Sequence, residues 1–351
     1  MSEYISPQTK LFRHMDRLDA LQRGRIQAPV NVEIDLSNRC SLGCEWCHFA
    51  YTHTRGKLAG ADKPEGAIPG GDLMDQFLAY SILSDLENCG VRSITWTGGG
   101  EPTLQPHFDS IINFTLIDQG VYTNGINIDT SRAELLKDKC KWVYISLDEP
   151  DQESYKKHKG ADKFTQVCMN IIKLVEAKGS ATIGVGFLIN KDNWEDAYDM
   201  YELGKKLGVD YVQFRPTILF DWENPNIPNE DRSWMYKAIN YLEELEILPG
   251  LIIDIDRFKN YRDWHEHGYQ TCWWSGIQAV ITPNGKVWTC VNKREYPGAE
   301  IGDLSKETFI EIWKRRKIVK VDKDCRLMCR GYPADRVLNE FMRPNEHGNF
   351  I

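Results

Sequence analysis

The chain has 351 residues, 42% of them hydrophobic and 27% charged, with a net charge of -8 and ten cysteines. A length of this order buries enough apolar surface for one large domain plus a smaller one, without disulfide staples. The acidic balance argues against a nucleic-acid backbone as principal partner, because phosphate binding wants an excess of lysine and arginine, and it suits a neutral or cationic small substrate.

The first residues show no basic segment followed by an apolar stretch, and no run approaches the roughly 18 apolar residues of a membrane span. The expectation is a cytoplasmic protein, whose reduced cysteines serve metal ligation or packing. A polar, helix-leaning lead-in covers 6–25. Strands are then predicted over 32–36, 93–97, 120–123, 142–147, 182–189 and 211–215, and helices over 73–87, 108–117, 163–177 and 194–207. Such alternation implies α/β architecture with parallel strands and right-handed crossovers. Six units predict a partial (β/α)6 barrel.

After Arg215 and Pro216 a polar, proline-bearing connection at 221–229 marks a change. A helix over 232–245, a strand over 251–255 and an aromatic stretch to His267 are expected next. Residues 268–351 hold four of the ten cysteines, a Pro283-Asn284-Gly285 turn between strand-like runs, and a short helix over 309–317. This is the profile of a small, Cys-rich α+β module. The expected division is a lead-in over 1–30, a barrel over 31–220, a connecting segment over 221–267 and the cysteine module over 268–351.

The stretch Asn38-Arg39-Cys40-Ser41-Leu42-Gly43-Cys44-Glu45-Trp46-Cys47 sets three cysteines at x3 and x2 spacing after the first predicted strand. In a barrel that loop stands at the C-terminal mouth, where βα loops carry chemistry. Three thiolates on one tight loop hold three irons of a [4Fe–4S] cube and leave the fourth open. An open position is what a catalytic metal needs and a structural one lacks. A zinc loop, with His48 as fourth ligand, or buried thiols are the alternatives.

This pattern resembles the radical SAM superfamily, whose C-x3-C-x2-C motif carries an aromatic residue before the last cysteine, the place of Trp46 here. The resemblance implies a barrel of the radical SAM type and a [4Fe–4S] cluster on Cys40, Cys44 and Cys47. It further implies S-adenosylmethionine bound to the open iron through its amino and carboxylate groups. One electron, delivered by a flavodoxin- or ferredoxin-type donor, then breaks the sulfur–carbon bond and yields a 5′-deoxyadenosyl radical, while the protein positions the reactants and excludes water.

At the end of the second strand stands Thr97-Gly98-Gly99-Gly100-Glu101-Pro102-Thr103. It lacks the Gly-Lys-Ser/Thr ending of a P-loop, so nucleoside triphosphate binding is not expected. It resembles the family's GGE motif, which implies that Gly98, Gly99, Gly100 and Glu101 hold the methionyl ammonium; a plain turn is the alternative. Thr123-Asn124-Gly125 closes the third strand as in family members, or as a bare turn. Ser146 and Asp148, at i and i+2 on a strand, would face one side, where the family often places ribose ligands; capping is the alternative. Asn190 after the fifth strand is a candidate for the adenosine part. Arg215 is a candidate for a bidentate bond to the methionyl carboxylate, or a brace for the linker.

In the C-terminal module twelve residues separate Cys272 from Gly285 and four separate Gly285 from Cys290, with Cys325 and Cys329 following. This resembles the opening of the SPASM and Twitch extensions, and so implies an auxiliary [4Fe–4S] cluster on Cys272, Cys290, Cys325 and Cys329. Four thiolates satisfy a structural zinc as well. Asn284-Gly285 favours a tight hairpin turn. Four cysteines match the shorter Twitch version, and the x3 spacing of the last pair departs from the x2 of some relatives.

Cys89, Cys140 and Cys168 lie in or beside apolar runs and read as packing, or as a hydrogen-atom donor if the enzyme is an epimerase. No catalytic acid, base or donor is assigned. The auxiliary cluster favours two-electron oxidation to a carbonyl, with epimerisation or rearrangement as the alternative. Only about 30 residues precede the barrel, too few for a peptide-recognition domain. The tail 343–351 resembles those of relatives acting on sugars. The expected substrate is a small polar molecule such as a sugar or aminocyclitol, with a peptide or nucleoside as runner-up. Trp264, His265, Glu266 and His267 are candidates to line its pocket, or a solvated linker. A non-catalytic zinc scaffold is the reading of a different class.

Overall fold

The computed structural model describes residues 7–25, 27–63, 65–217, 231–263, 267–322, 325 and 329–343. The connection at 221–229, the candidates Trp264, His265 and Glu266, and the tail from 344 onward lie outside the described residues.

Helices α1 (Pro7–Lys10) and α2 (Met15–Gln22) lead into strand β1 (Asn31–Asp35). Then β2 (Ser93–Thr97), β3 (Asp118–Thr123), β4 (Cys140–Ile145), β5 (Thr182–Ile189), β6 (Tyr211–Pro216) and β7 (Leu251–Ile253) follow edge to edge, all parallel. The crossovers carry α3 (Gln76–Cys89), α4 (Phe108–Phe114), α5 (Thr130–Lys139), α6 (Gln152–Lys159), α7 (Phe164–Glu176), α8 (Ala197–Leu207) and α9 (Met235–Leu245). All six predicted strands are present in the expected α/β partial barrel. Residues Val32, Ile34, Val121, Val143, Val185 and Phe214 turn outward into one continuous apolar core with the helices, as a period of two requires.

Several boundaries move for local reasons. Helix α3 starts at Gln76 because the Asp75 side chain accepts from the Phe77 and Leu78 amides, while Leu73 is bridged to Ser37. The predicted strand over 251–255 stops at Ile253, and α10 (Ile255–Asp263) occupies the supposed aromatic stretch. Helices α5 and α6 are too charged to show an apolar period, and an Asp N-cap starts each of them.

The remaining elements are β8 (Thr271–Cys272), β9 (Gln278–Ile281), β10 (Lys286–Trp288), β11 (Glu300–Asp303), α11 (Phe309–Arg315), β12 (Val319–Lys320) and α12 (Tyr332–Met342). The Asn-Gly hairpin joins β9 to β10 as expected, with Gly285 at φ 80°. Strand β9 pairs in parallel with β1, Asn31 opposite Gln278 through Ile34 opposite Ile281. The cysteine-bearing C-terminal segment therefore extends the barrel's own sheet, to ten strands among the described residues.

The inward face is aromatic and polar. Tyr144, Tyr211 and Ile252 form a small cluster with Tyr122 and Trp142. Neighbouring strands make room for these rings: a Cβ on Gly120 would lie 2.0 Å from the Trp142 ring, and one on Gly186 2.0 Å from the Tyr144 hydroxyl. No helix among the described residues is long and apolar enough to cross a membrane.

Candidate active site

The x3/x2 cysteine loop leaves the C-terminal end of β1 and is held from three sides. Arg39 Nε donates to both Asp72 carboxylate oxygens at 2.9 and 3.0 Å, and the Cys40 amide donates to the Arg55 carbonyl. The Gly43 and Glu45 amides donate to the carbonyls of Lys159 and His158, at 2.9 and 3.1 Å. Cys47 Sγ stands 3.7 Å from His53 Nε2, and the Trp46 ring lies 5.1 Å from that of His158. Burial pushes Cys40 and Cys47 up to about 12, and raises Cys44 although Lys159 beside it pulls the other way. Such thiols stay protonated until a metal displaces the proton.

The triple glycine lies against the back of this loop. The Gly100 amide donates to the Ser37 carbonyl at 3.1 Å and the Glu101 amide to that of Arg39 at 2.7 Å. A Cβ on Gly99 would lie 2.0 Å from Thr52 Oγ1, and one on Gly100 2.2 Å from the Arg39 carbonyl oxygen. The glycines are thus required first by loop-on-loop packing. The buried Glu101 carboxylate accepts from the Thr103 amide and hydroxyl, from Thr123 Oγ1 and from the Asn124 amide. It ties the ends of β2 and β3 together. Burial raises its pKa, and these four donors pull it down.

Ser146 and Asp148 are not a strand pair: β4 ends at Ile145, and Asp148 turns out of the strand at φ 58°. That conformation is costly for a residue with a Cβ, and an ion pair holds it, because Lys159 Nζ meets Asp148 Oδ2 with both side chains buried. Beside them His158 Nδ1 lies 2.8 Å from Glu149 Oε1, whose pKa burial raises to about 6. Lys159 escaped the sequence reading because the run Lys156-Lys157-His158-Lys159 has the composition of a solvated helix face. Asn190 spends its carbonyl oxygen on the Asp192 amide in a turn after β5. Arg215 Nη2 donates to the Tyr144 hydroxyl at 2.6 Å, and the guanidinium stacks 4.8 Å from that ring.

Cys272, Cys290, Cys325 and Cys329 line one small cavity of about 50 Å³, with His267, Tyr269 and Trp274 on its wall. Cys329 also borders a far larger cavity of about 1350 Å³ that runs along the barrel interior from Asn31 and Trp142 to Arg215 and Asp254. Burial pushes Cys325 up to about 11 and Cys329 up to about 12. Cys89, Cys140 and Cys168 line neither cavity. Cys140 is buried in the core, and Cys89 and Cys168 pack against it. Among the described residues no three His, Cys, Asp or Glu side chains converge as they would around a single ion. A cubane asks less of its donors, since each thiolate meets its own iron. Three half-buried thiols on one tethered loop, and four around one cavity, are donor sets of that kind.

Sequence reasoning also missed Arg294, which enters the barrel from just beyond Cys290. It is fully buried, 3.3 Å from both Glu33 Oε2 and Asp35 Oδ2, and donates to the Gly98 carbonyl. The next residue, Glu295, accepts from the Gly70 amide and from Asn38 Nδ2 of the cysteine loop.

Comparison with known proteins agrees with this geometry. The family model described as the radical SAM superfamily matches residues 34–204. That of the SPASM iron–sulfur cluster-binding domain matches residues 272–331. The chain is 22% identical over 296 residues to a PqqA peptide cyclase of Gluconobacter oxydans, spanning 81% of this chain and 76% of that protein. It is 28% identical over 186 residues to a probable GTP 3′,8-cyclase of Methanosarcina mazei, covering about half of each, 50% and 51%. Among solved structures it resembles Streptococcus suis SuiB bound to precursor peptide SuiA, with TM-score 0.61 and 15% identity over 88% of this chain and 70% of that one. It also resembles native anSMEcpe with bound AdoMet, with TM-score 0.60 and 18% identity over 84% and 82%.

Proposed function

We propose that this chain, which belongs to the radical SAM superfamily and carries a SPASM iron–sulfur cluster-binding domain at its C-terminal end, abstracts hydrogen from a small polar substrate and oxidises it by two electrons. The two domains imply a SAM-binding [4Fe–4S] cluster, an auxiliary cluster and S-adenosylmethionine. When bound, these supply the electron that splits S-adenosylmethionine, the carbon radical that takes the substrate hydrogen, and a second redox centre. Cys40, Cys44 and Cys47 would hold the first cluster, with Trp46 over the loop. Cys272, Cys290, Cys325 and Cys329 would hold the second. The carbonyls of Gly98, Gly99 and Gly100 with Glu101 are assigned to the methionyl ammonium, Arg215 to its carboxylate, and Ser146, Asp148 and Asn190 to the nucleoside. Residues 31–220 form the radical-generating barrel in this division, after a lead-in over 1–30. The connection over 221–267 leads to the auxiliary module over 268–351.

The observation that carries the oxidation is that Cys329 borders both cavities. A substrate bound in the barrel cavity would lie against Cys329 of the second set, and a cluster held there would be within reach to take an electron from its radical. A flavodoxin- or ferredoxin-type protein is the donor this reading requires. A peptide substrate is the second reading. It is favoured by the relatives named for peptides and by a cavity of about 1350 Å³, above the roughly 300–1,000 Å³ of small-molecule sites. The test is anaerobic reconstitution followed by assay of 5′-deoxyadenosine with dithionite and S-adenosylmethionine. About eight irons per chain and formation of that nucleoside are expected. Zinc in place of iron, or no nucleoside under any reductant, would sink it.

A further inference from the structure

Although the whole chain carries a net charge of -8, the barrel cavity is cationic. Among the described residues six lysine or arginine side chains line it against three carboxylates. Two of the six are already matched: Arg330 is ion-paired with Glu33 and Arg343 with Glu340. Among the described residues Arg215, Arg257 and Arg336 have no carboxylate at ion-pair distance, and the Nε atoms of Arg215 and Arg257 are buried without a hydrogen-bond partner. Arg257 sits on α10 beside Asp254, whose carboxylate accepts from the Arg257 amide and leaves the guanidinium to the cavity. Arg336 stands on α12 at the exposed rim, 5.9 Å from the Tyr332 ring. Burial and the nearby Arg215 disfavour the Arg257 charge, and the Asp254 carboxylate offsets them only in part. Two like charges crowded into a partly dry cavity are costly unless anions come between them.

We propose that the substrate carries an anionic oxygen group, phosphoryl or carboxylate, which Arg257 receives with Arg336 at the rim. This rests on the reading above, in which the methionyl carboxylate occupies Arg215 and leaves Arg257 to the substrate. A guanidinium fork matches both kinds of group in a bidentate manner. The charge of this wall overrides the overall acidity of the chain, which pointed toward a neutral or cationic substrate.

The test is calorimetric titration of the reconstituted full-length enzyme, saturated with S-adenosylmethionine, with pyrophosphate and separately with succinate. At least one should bind saturably at one site per chain. Arg257→Gln should weaken it by about tenfold or more, Arg257→Lys by less, and Arg336→Gln severalfold. The tighter of the two probes identifies the group as phosphoryl or carboxylate. Saturable binding of neither anion, or equal binding by wild type, Arg257→Gln and Arg336→Gln, overturns the proposal. Should Arg257→Gln fail to fold, the exposed Arg336 variant carries the same decision. The underlying reading fails by a different measurement, the absence of 5′-deoxyadenosine from wild-type enzyme, whereas anion binding requires no turnover.

Discussion

Arg294 and Asp35 form an ion pair across the seam between the auxiliary segment and the barrel, Nε to Oδ2 at 3.3 Å with both side chains fully buried. The same guanidinium reaches Glu33 and the Gly98 carbonyl and lies 4.3 Å from the Phe49 ring. One side chain from just past a cysteine of the second set thereby touches the strand, the aromatic residue and the glycine turn that frame the first set. It ties the segment that carries the second thiol set to the elements that frame the first.

Removing this guanidinium leaves the buried Asp35 carboxylate without a cationic partner and Glu33 with Arg330 alone. Arg294→Met should cost about 3–5 kcal/mol in urea unfolding. Adding Asp35→Asn should recover part of the loss, because the uncompensated charge is then gone. Equal stability of wild type and Arg294→Met would show that the pair is not formed.

The buried Lys159–Asp148 pair holds a left-handed Asp148 next to the cysteine loop. Lys159→Met should destabilise by about 3 kcal/mol or more, and should loosen Gly43, whose amide donates to the Lys159 carbonyl. The expected readout is a lowered melting temperature together with faster loss of iron from the first site. Iron retention like that of wild type in a destabilised variant would confine the pair to fold stability.

Loop-on-loop packing makes Gly99 and Gly100 intolerant of even a methyl group. Gly99→Ala should cost about 1–3 kcal/mol through overpacking against Thr52 and Asn38. It should also lower the iron bound by the first site while the second keeps its share. Iron analysis on a background with Cys272 and Cys290 changed to alanine isolates the effect.

The two thiol sets should load independently in number. A Cys40/Cys44/Cys47→Ala variant is expected to keep about four irons per chain and form no 5′-deoxyadenosine. Loss of all metal from it, or zinc at the second set, would contradict the assignment of two cubanes.

Asp72 supplies a pH signature. Its side-chain hydrogen bond from Arg39, with help from Thr54, lowers its pKa to about 2. A depressed carboxylate stabilises the fold above its ordinary value near 4 and loses that contribution as pH falls through about 2. The pair is partly exposed, so the contribution should be below about 1 kcal/mol. The difference in melting temperature between wild type and Asp72→Asn should be present at pH 6 and shrink between about pH 4 and pH 2. A constant difference would remove the carboxylate charge from the account.

The strand segments and the place of the first cysteine loop were legible because both are local. A run such as Trp96 with its neighbours in β2, or Thr182–Ile189 in β5, is apolar or β-branched over a strand's length and bounded by turn residues. Cys40, Cys44 and Cys47 stand within one loop, so their spacing in sequence is nearly their spacing in space. Helix α6 was not legible: a charged octamer carries no apolar stripe, and its last residues are buried against Glu149, Asp148 and the cysteine loop.

By itself, then, the sequence determined the strand-and-helix alternation, the two thiol sets and the families they belong to, since each is written in short-range pattern. Only the tertiary structure decided that β9 adds to β1, that Arg294 bridges the two sets, and that Arg215, Arg257 and Arg336 face one cavity. Those residues lie on separate elements brought together by long-range pairing. Whether a charge repels or recruits a ligand depends on burial and on the charges facing it across space, and neither quantity is a property of neighbouring letters in the chain.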